Sequence, residues 1–192
     1  MAKPTKVHWK DVKRILRYLK CTIQHGLLLS PHSFTQPVPL TAFSYVDWGS
    51  DLDGRRSTSG SCIFFGPNLL SWAPKKQTLV ARSITEAEYR SLANTVAELQ
   101  WIQSLLTELH IQHSVPTVYC DNKGTVALTH NPVLHTRTKH MELDIFFVRE
   151  KVLNKNLVVQ HVPAVDQIAD CIHKGSVHCF FSGNETQTQC SG

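Results

Sequence analysis

From Thr85 to Leu109 the apolar residues recur at helical spacing: Tyr89, Leu92, Val96, Leu99, Ile102, Leu105, Leu106 and Leu109. A helix of that length with one apolar side is stable in water only against a surface of matching length. The flanking sequence supplies one. AFSYVDW (42–48), SCIFFG (61–66) and LLSWAP (69–74) are aromatic and β-branched runs bounded by turn residues, so they read as strands, the last two as a hairpin. Beyond the helix, PTVYCDN (116–122) and NLVVQHVPA (156–164) read as strands. GTVALTHN (124–131), HMELDIFFVREKVL (140–153) and VDQIADCIHK (165–174) read as helices. The order β-β-β-α-β-α-α-β-α predicts an α/β fold. Three antiparallel strands lead, two later strands join parallel through right-handed crossovers, and helices pack on the sheet.

The chain of 192 residues is 42% hydrophobic and 18% charged, which suits one medium domain with a core. No run approaches 18 apolar residues, so no membrane span is expected. The first residues, MAKPTKVHWK, lack the apolar centre of a signal peptide. Six cysteines occur without a CxxC pair and read as reduced thiols rather than a disulfide framework or zinc site. The net charge of +5 is concentrated at the start, where the first twenty residues hold seven Lys or Arg and one acid. Such a leader suits a polyanion such as nucleic acid, or a solvated helix face. Residues 7–20 carry an apolar stripe of Trp9, Val12, Ile15, Leu16 and Leu19, which needs a surface to pack on. SPHSFTQPVPL (30–40), with three prolines, reads as a linker.

Several acids stand where folding does not ask for them. Asp47 lies between Val46 and Trp48 at the end of the first strand, although aspartate is depleted in strands. Asp121 closes VYCDN, and either it or Asn122 suits the N-cap of the next helix. Asp170 interrupts an apolar stretch between Ala169 and Cys171. Asp47 and Asp121 fall at the carboxyl ends of strands, where sheets with parallel strands place ligand sites. SITEAEY adds two glutamates. With Thr85 as N-cap, Glu88 completes a T-x-x-E capping box, but Ser83 and Glu86 have the same spacing. The two side chains point roughly 200° apart. Measured against the apolar stripe, each falls on a flank. The favoured expectation has Glu88 hold the helix end while Glu86 faces the sheet. Four carboxylates brought together raise one another's pKa or bind cations, and hard oxygen-ligated Mg²⁺ is the usual cation at a phosphate. No P-loop and no HExxH motif is present, and His140 and His161 read as structural or surface groups.

These residues, in this order, resemble ribonuclease H. YVDWGSDLDGRRSTSG, SWAPKKQTLVARSITEAEYRSLA, VYCDNKGTVALTHNPVLHTRTKHMELDIFFVREKV and VPAVDQIADCIHKG resemble the ribonuclease H domain of copia-type (LTR) retrotransposon Pol polyproteins. HWKDVKRILRYLKCTIQHGLLL resembles the connection from the reverse transcriptase. The resemblance implies a five-stranded mixed sheet flanked by helices. It divides the chain into a basic helix and linker (1–40), a ribonuclease H-like domain (41–175) and a divergent, disordered tail (176–192). It implies endonucleolytic removal of RNA from RNA–DNA hybrids, with two Mg²⁺ ions for which Mn²⁺ can substitute, held by Asp47, Glu86, Asp121 and Asp170. Asn122, Lys75, Lys76, Arg82, Arg137, Lys139 and His140 are the expected nucleic-acid contacts. The expected partners are the hybrid and the reverse transcriptase and integrase portions of one polyprotein, in intracellular retrotransposon particles. The chain departs from the pattern in having no histidine between Val162 and Asp170, and in reading Cys171-Ile172-His173-Lys174 after the last acid.

Overall fold

The computed structural model describes residues 3–23, 26–27, 29–31, 36–131 and 141–170. Two compact units divide them near Leu29. The first holds α1, Lys6–Thr22. Thr5 caps it reciprocally with His8, whose Nδ1 accepts from the Thr5 N–H at 3.1 Å. Histidine here takes the part that Glu usually plays in a capping box. Trp9, Ile15, Leu16 and Leu19 are exposed, and Lys13 lies over the Trp9 ring.

The second unit is built on β1 (Leu40–Asp47), β2 (Thr58–Phe65), β3 (Asn68–Lys76), α2 (Ile84–Glu108), β4 (Thr117–Cys120), α3 (Lys123–His130), α4 (Glu142–Leu153) and β5 (Val158–His161), followed by a 3-10 turn at Ala164–Asp166. The strands form one sheet in the order β3-β2-β1-β4-β5. The first three are antiparallel; β4 runs parallel to β1, and β5 parallel to β4. The α/β fold with a five-stranded mixed sheet, expected from the apolar patterns, is therefore the one observed.

β1 alternates buried and half-buried residues along its whole length. Leu40, Ala42, Ser44 and Val46 are buried, and Leu40 and Ala42 join the core that α2 covers with Tyr89, Leu92, Val96, Leu99, Ile102 and Leu106. Ile145 and Val148 of α4 close that core. Burying each such side chain stabilises the fold by roughly 1.5–3 kcal/mol. Phe43 on the other register of β1 stacks on Tyr119 of β4, with ring centroids 5.2 Å apart.

Part of the proline-rich stretch expected to be a linker is docked on the domain. Ser30 and Asn68 exchange two hydrogen bonds, and Val38 is fully buried and bridges His113. The final helix expected at 165–174 is represented in the described residues by the 3-10 turn and by helical geometry at Asp170. Residues 171–192, with the expected tail, lie outside the described residues, as do Arg137, Lys139 and His140.

Candidate active site

The start of α2 is fixed by polar contacts that decide which glutamate caps the helix. Ser83, not Thr85, is the N-cap: its hydroxyl accepts the Glu86 N–H at 3.2 Å. Glu86 thereby becomes the third helical residue. Its Oε2 accepts the Arg82 N–H at 2.7 Å and its Oε1 accepts from Arg90, one turn on, at 2.9 Å. The capping role expected of Glu88 falls to Glu86, and both glutamates are buried. Glu86 holds the helix start, and Glu88, rotated about 200° away, lies against the ends of the strands. Thr85 sits instead beside Gly124 at the start of α3.

Glu88, Leu92, Thr95, Leu99, Ile102 and Leu106 follow the i, i+4, i+7 rhythm, and every one is buried. Glu86, Tyr89, Ala93 and Val96 form a second buried row, so periodicity and burial do not separate the glutamates, which are 3% and 4% exposed. What sets Glu88 apart is its Oε2, which has no hydrogen-bond partner. The ligand atoms of Glu88, Cys120 and Asp121 all lie within 4.8 Å of one another. Asp121 reaches this place because Asn122 takes the capping duty: the Asn122 Oδ1 accepts the Thr125 N–H at 3.0 Å. Asp121 Oδ1, also buried, has no partner either.

Burial, with the charge of Asp121 adding to it, pushes the Glu88 carboxyl up to about 9. Burial likewise raises Asp121, reinforced by Asp170 and opposed by His161 across the β4–β5 pair. The Cys120 thiol is pushed up to about 12, mainly by burial and then by Glu88. Tyr45 links the remaining acids. Its hydroxyl is raised by burial, by a hydrogen bond and charge from Asp170, and by the charges of Asp47 and Asp121. Glu88, Cys120 and Asp121 form the tight group; Asp47 and Asp170 are not members of it but act with Asp121 on Tyr45.

Specific contacts brace those elements. Ser91 of α2 donates to the Tyr45 carbonyl at 2.9 Å, and Ser44 donates to Ser91 at 3.1 Å. Trp48 Nε1 donates to the Ala81 carbonyl, and Val46, Ala81 and Ala87 form a small apolar cluster beneath. Gln167, buried, donates to the Ser44 carbonyl at 2.9 Å. That contact draws the segment before Asp170 across β1 and β2, where a Cβ on Gly60 would stand 3.3 Å from the Ala169 carbonyl oxygen. Glycine at 60 permits the close approach.

The comparisons with known proteins agree with this arrangement. No family profile matches the chain. It is 49% identical over 175 residues to the retrovirus-related Pol polyprotein from transposon RE2 of Arabidopsis thaliana, covering 91% of this chain. It is 47% identical over the same length to that from transposon RE1 of the same plant, and 34% identical over 171 residues to that from transposon TNT 1-94 of Nicotiana tabacum. The chain belongs to the retrovirus-related Pol polyproteins of copia-type transposons. It spans about 12% of the length of RE2 and RE1 and 13% of TNT 1-94. Two structures of LC11-RNase H1, a protein isolated from compost by a metagenomic approach, share the fold. They have TM-scores of 0.51 and 0.52 at 16% and 18% identity, and cover 68% and 69% of this chain and 91% and 90% of theirs. The chain thus shares the fold of those two ribonuclease H structures.

The other expected contacts of this Pol domain are dispersed. Lys75 and Lys76 end β3 and, with Arg90 and Asn94, line a cleft of about 510 Å³ against the start of α4. Lys76 also pairs with Asp51 at 2.7 Å. Arg82 and Asn122 do not line that cleft. Reading the sequence did not single out Tyr45, Cys120, Gln167 or Glu88 as parts of the site, and it set His161 aside. Each of the first three looks like an ordinary strand or turn residue until the sheet is assembled.

Proposed function

We propose that this domain hydrolyses the RNA strand of RNA–DNA hybrids during reverse transcription of a retrotransposon, using two divalent ions, Mg²⁺ or Mn²⁺, held by Asp47, Glu88, Asp121 and Asp170. The observation that carries this reading is the pair of buried carboxylate oxygens, on Glu88 and Asp121, that no protein donor satisfies. Uncompensated buried acids are costly unless a cation joins them. An oxygen-rich set on rigid element ends fits hard ions, which when bound activate water and stabilise the leaving oxygen.

The chain's own residues supply placement. Tyr45 donates to Asp170 and holds it toward Asp47 and Asp121. Gln167 and Gly60 seat the segment that carries Asp170. Cys120, protonated at neutral pH, walls the inner side next to Glu88. Lys75, Lys76 and Arg90 border the cleft and suit the phosphates of a hybrid, which is recognised through backbone and 2′-hydroxyls rather than sequence. One structure of LC11-RNase H1 was obtained in complex with an RNA/DNA hybrid. Polymerase and integrase portions of one polyprotein are the partners consistent with relatives about eight times longer than this chain.

The test is cleavage of an RNA-labelled hybrid with Mg²⁺ or Mn²⁺, and with neither. Cleavage that depends on the ion and is lost in Glu88→Gln and Asp121→Asn, but survives in Glu86→Gln, supports the reading. Cleavage lost in Glu86→Gln and retained in Glu88→Gln would overturn the assignment of the glutamate. Binding of hybrid without cleavage under any of these conditions would overturn the nuclease itself.

A further inference from the structure

Magnesium accepts oxygen ligands, yet one wall of the pocket is sulfur. Cys120 Sγ lies within 4.8 Å of carboxylate oxygens of both Glu88 and Asp121. The arrangement is more than an acidic cluster beside a thiol. Glu88 is over nine-tenths buried, and its Oε2 is unpartnered in the same pocket. The three ligand atoms come from two elements packed on one core, α2 and the end of β4.

We propose that Glu88, Cys120 and Asp121 form a binding site for a thiophilic divalent ion of the Zn²⁺ class, in competition with the hard ion of the same pocket. Two carboxylates and one thiolate make a three-ligand set with an open position, a donor combination that suits Zn²⁺. Ligand atoms around a tetrahedral zinc stand roughly 3.5 Å apart, so closure from within 4.8 Å asks for shifts of up to about an ångström. On binding, Cys120 and any pocket carboxyl still protonated lose their protons to solvent as metal–sulfur and metal–oxygen bonds form; nothing is oxidised or reduced. Affinity in mixed nitrogen, oxygen and sulfur sites favours zinc, and thiolate favours it further, whereas Mg²⁺ gains nothing from sulfur. Zinc in this seat would occupy two carboxylates proposed above for the hard ions and so act as an inhibitor. The proposal shares those carboxylates but does not require that the domain cut RNA.

The test is spectroscopic, on the full chain freed of metal. Titration with Co²⁺ and Cd²⁺ is expected to produce thiolate-to-metal charge-transfer absorption saturating at one equivalent, with Zn²⁺ displacing Co²⁺ and Mg²⁺ producing no band. Cys120→Ser should abolish the band. Glu88→Gln and Asp121→Asn, which keep the thiol, should weaken Zn²⁺ binding at least tenfold, and they preserve the test if Cys120→Ser folds poorly. Absence of any band, or a band unchanged in Cys120→Ser or in both carboxylate variants, overturns the proposal. A Cys120-dependent band in a chain that fails to cleave hybrid upholds the zinc site while the nuclease reading falls. Magnesium-dependent cleavage with no such band has the opposite meaning.

Discussion

Glu88→Gln isolates the electrostatic cost of the pocket. Glu88 has its carboxyl raised from 4.5 to about 9, first by burial and then by Asp121. The unfolded chain releases this proton above pH 4.5, while the folded chain retains it until about pH 9. Between those values the unfolded state binds fewer protons, so stability falls as pH rises, by up to about 1.4 kcal/mol per pH unit from this group. The contribution is fully present below the unfolded value and is lost as pH climbs through the folded one. At pH 7 the loss is on the order of 3 kcal/mol. Glutamine keeps the shape and does not titrate. In EDTA, urea denaturation of the variant and the parent should give similar stability near pH 5. The variant should be the more stable by about 1–3 kcal/mol at pH 7–8, after the cost of an unpaired amide. Saturating Mg²⁺ should reverse the order, because an ion at 100 times its Kd stabilises the parent by about 2.7 kcal/mol and the variant has lost a ligand. A pH-independent difference in EDTA, or a variant less stable than the parent at pH 8 without metal, would refute the argument that Glu88 is a buried, uncompensated acid.

Glu86→Ala should behave oppositely. It removes the Arg90 pair and the bond to the Arg82 N–H, and should lower stability by about 2–3 kcal/mol at every pH from 6 to 8, measured by urea titration, with Mg²⁺ affinity of the folded protein unchanged. Gly60→Ala places a Cβ 3.3 Å from the Ala169 carbonyl oxygen, so the Asp170 segment must shift. Calorimetric titration should show several-fold weaker Mg²⁺ binding alongside a loss of about 1–2 kcal/mol in stability. Asn122→Ala removes the α3 cap and should cost about 1 kcal/mol, with faster amide exchange at Thr125; Asn122→Ser should recover most of it.

The fold was legible because periodicity reports burial directly. The alternating residues of β1 and the helical row of α2 are the two faces of one core, and both are spaced that way in the chain. Asp47, Asp121 and Asp170 were legible as acids at places where folding has no use for them. The choice between Glu86 and Glu88 could not be made from local signals, because Ser83 and Thr85 give equivalent capping spacings. The docked Val38 and Ser30 were illegible within a proline-rich stretch, since what holds them is His113 and Asn68, far along the chain.

By itself, then, the order of residues determined the alternation of strands and helices, the sheet they must form and the supply of carboxylates at its strand ends. Those properties depend on spacing along a single segment. Only the assembled structure decided that Glu88 rather than Glu86 meets Asp121, that Cys120 puts sulfur beside them, and that Tyr45 reaches Asp170. Each is a meeting of atoms from separate elements, set by how α2 caps, how β4 registers on β1 and how closely the final segment crosses Gly60. No single stretch of the chain contains that geometry.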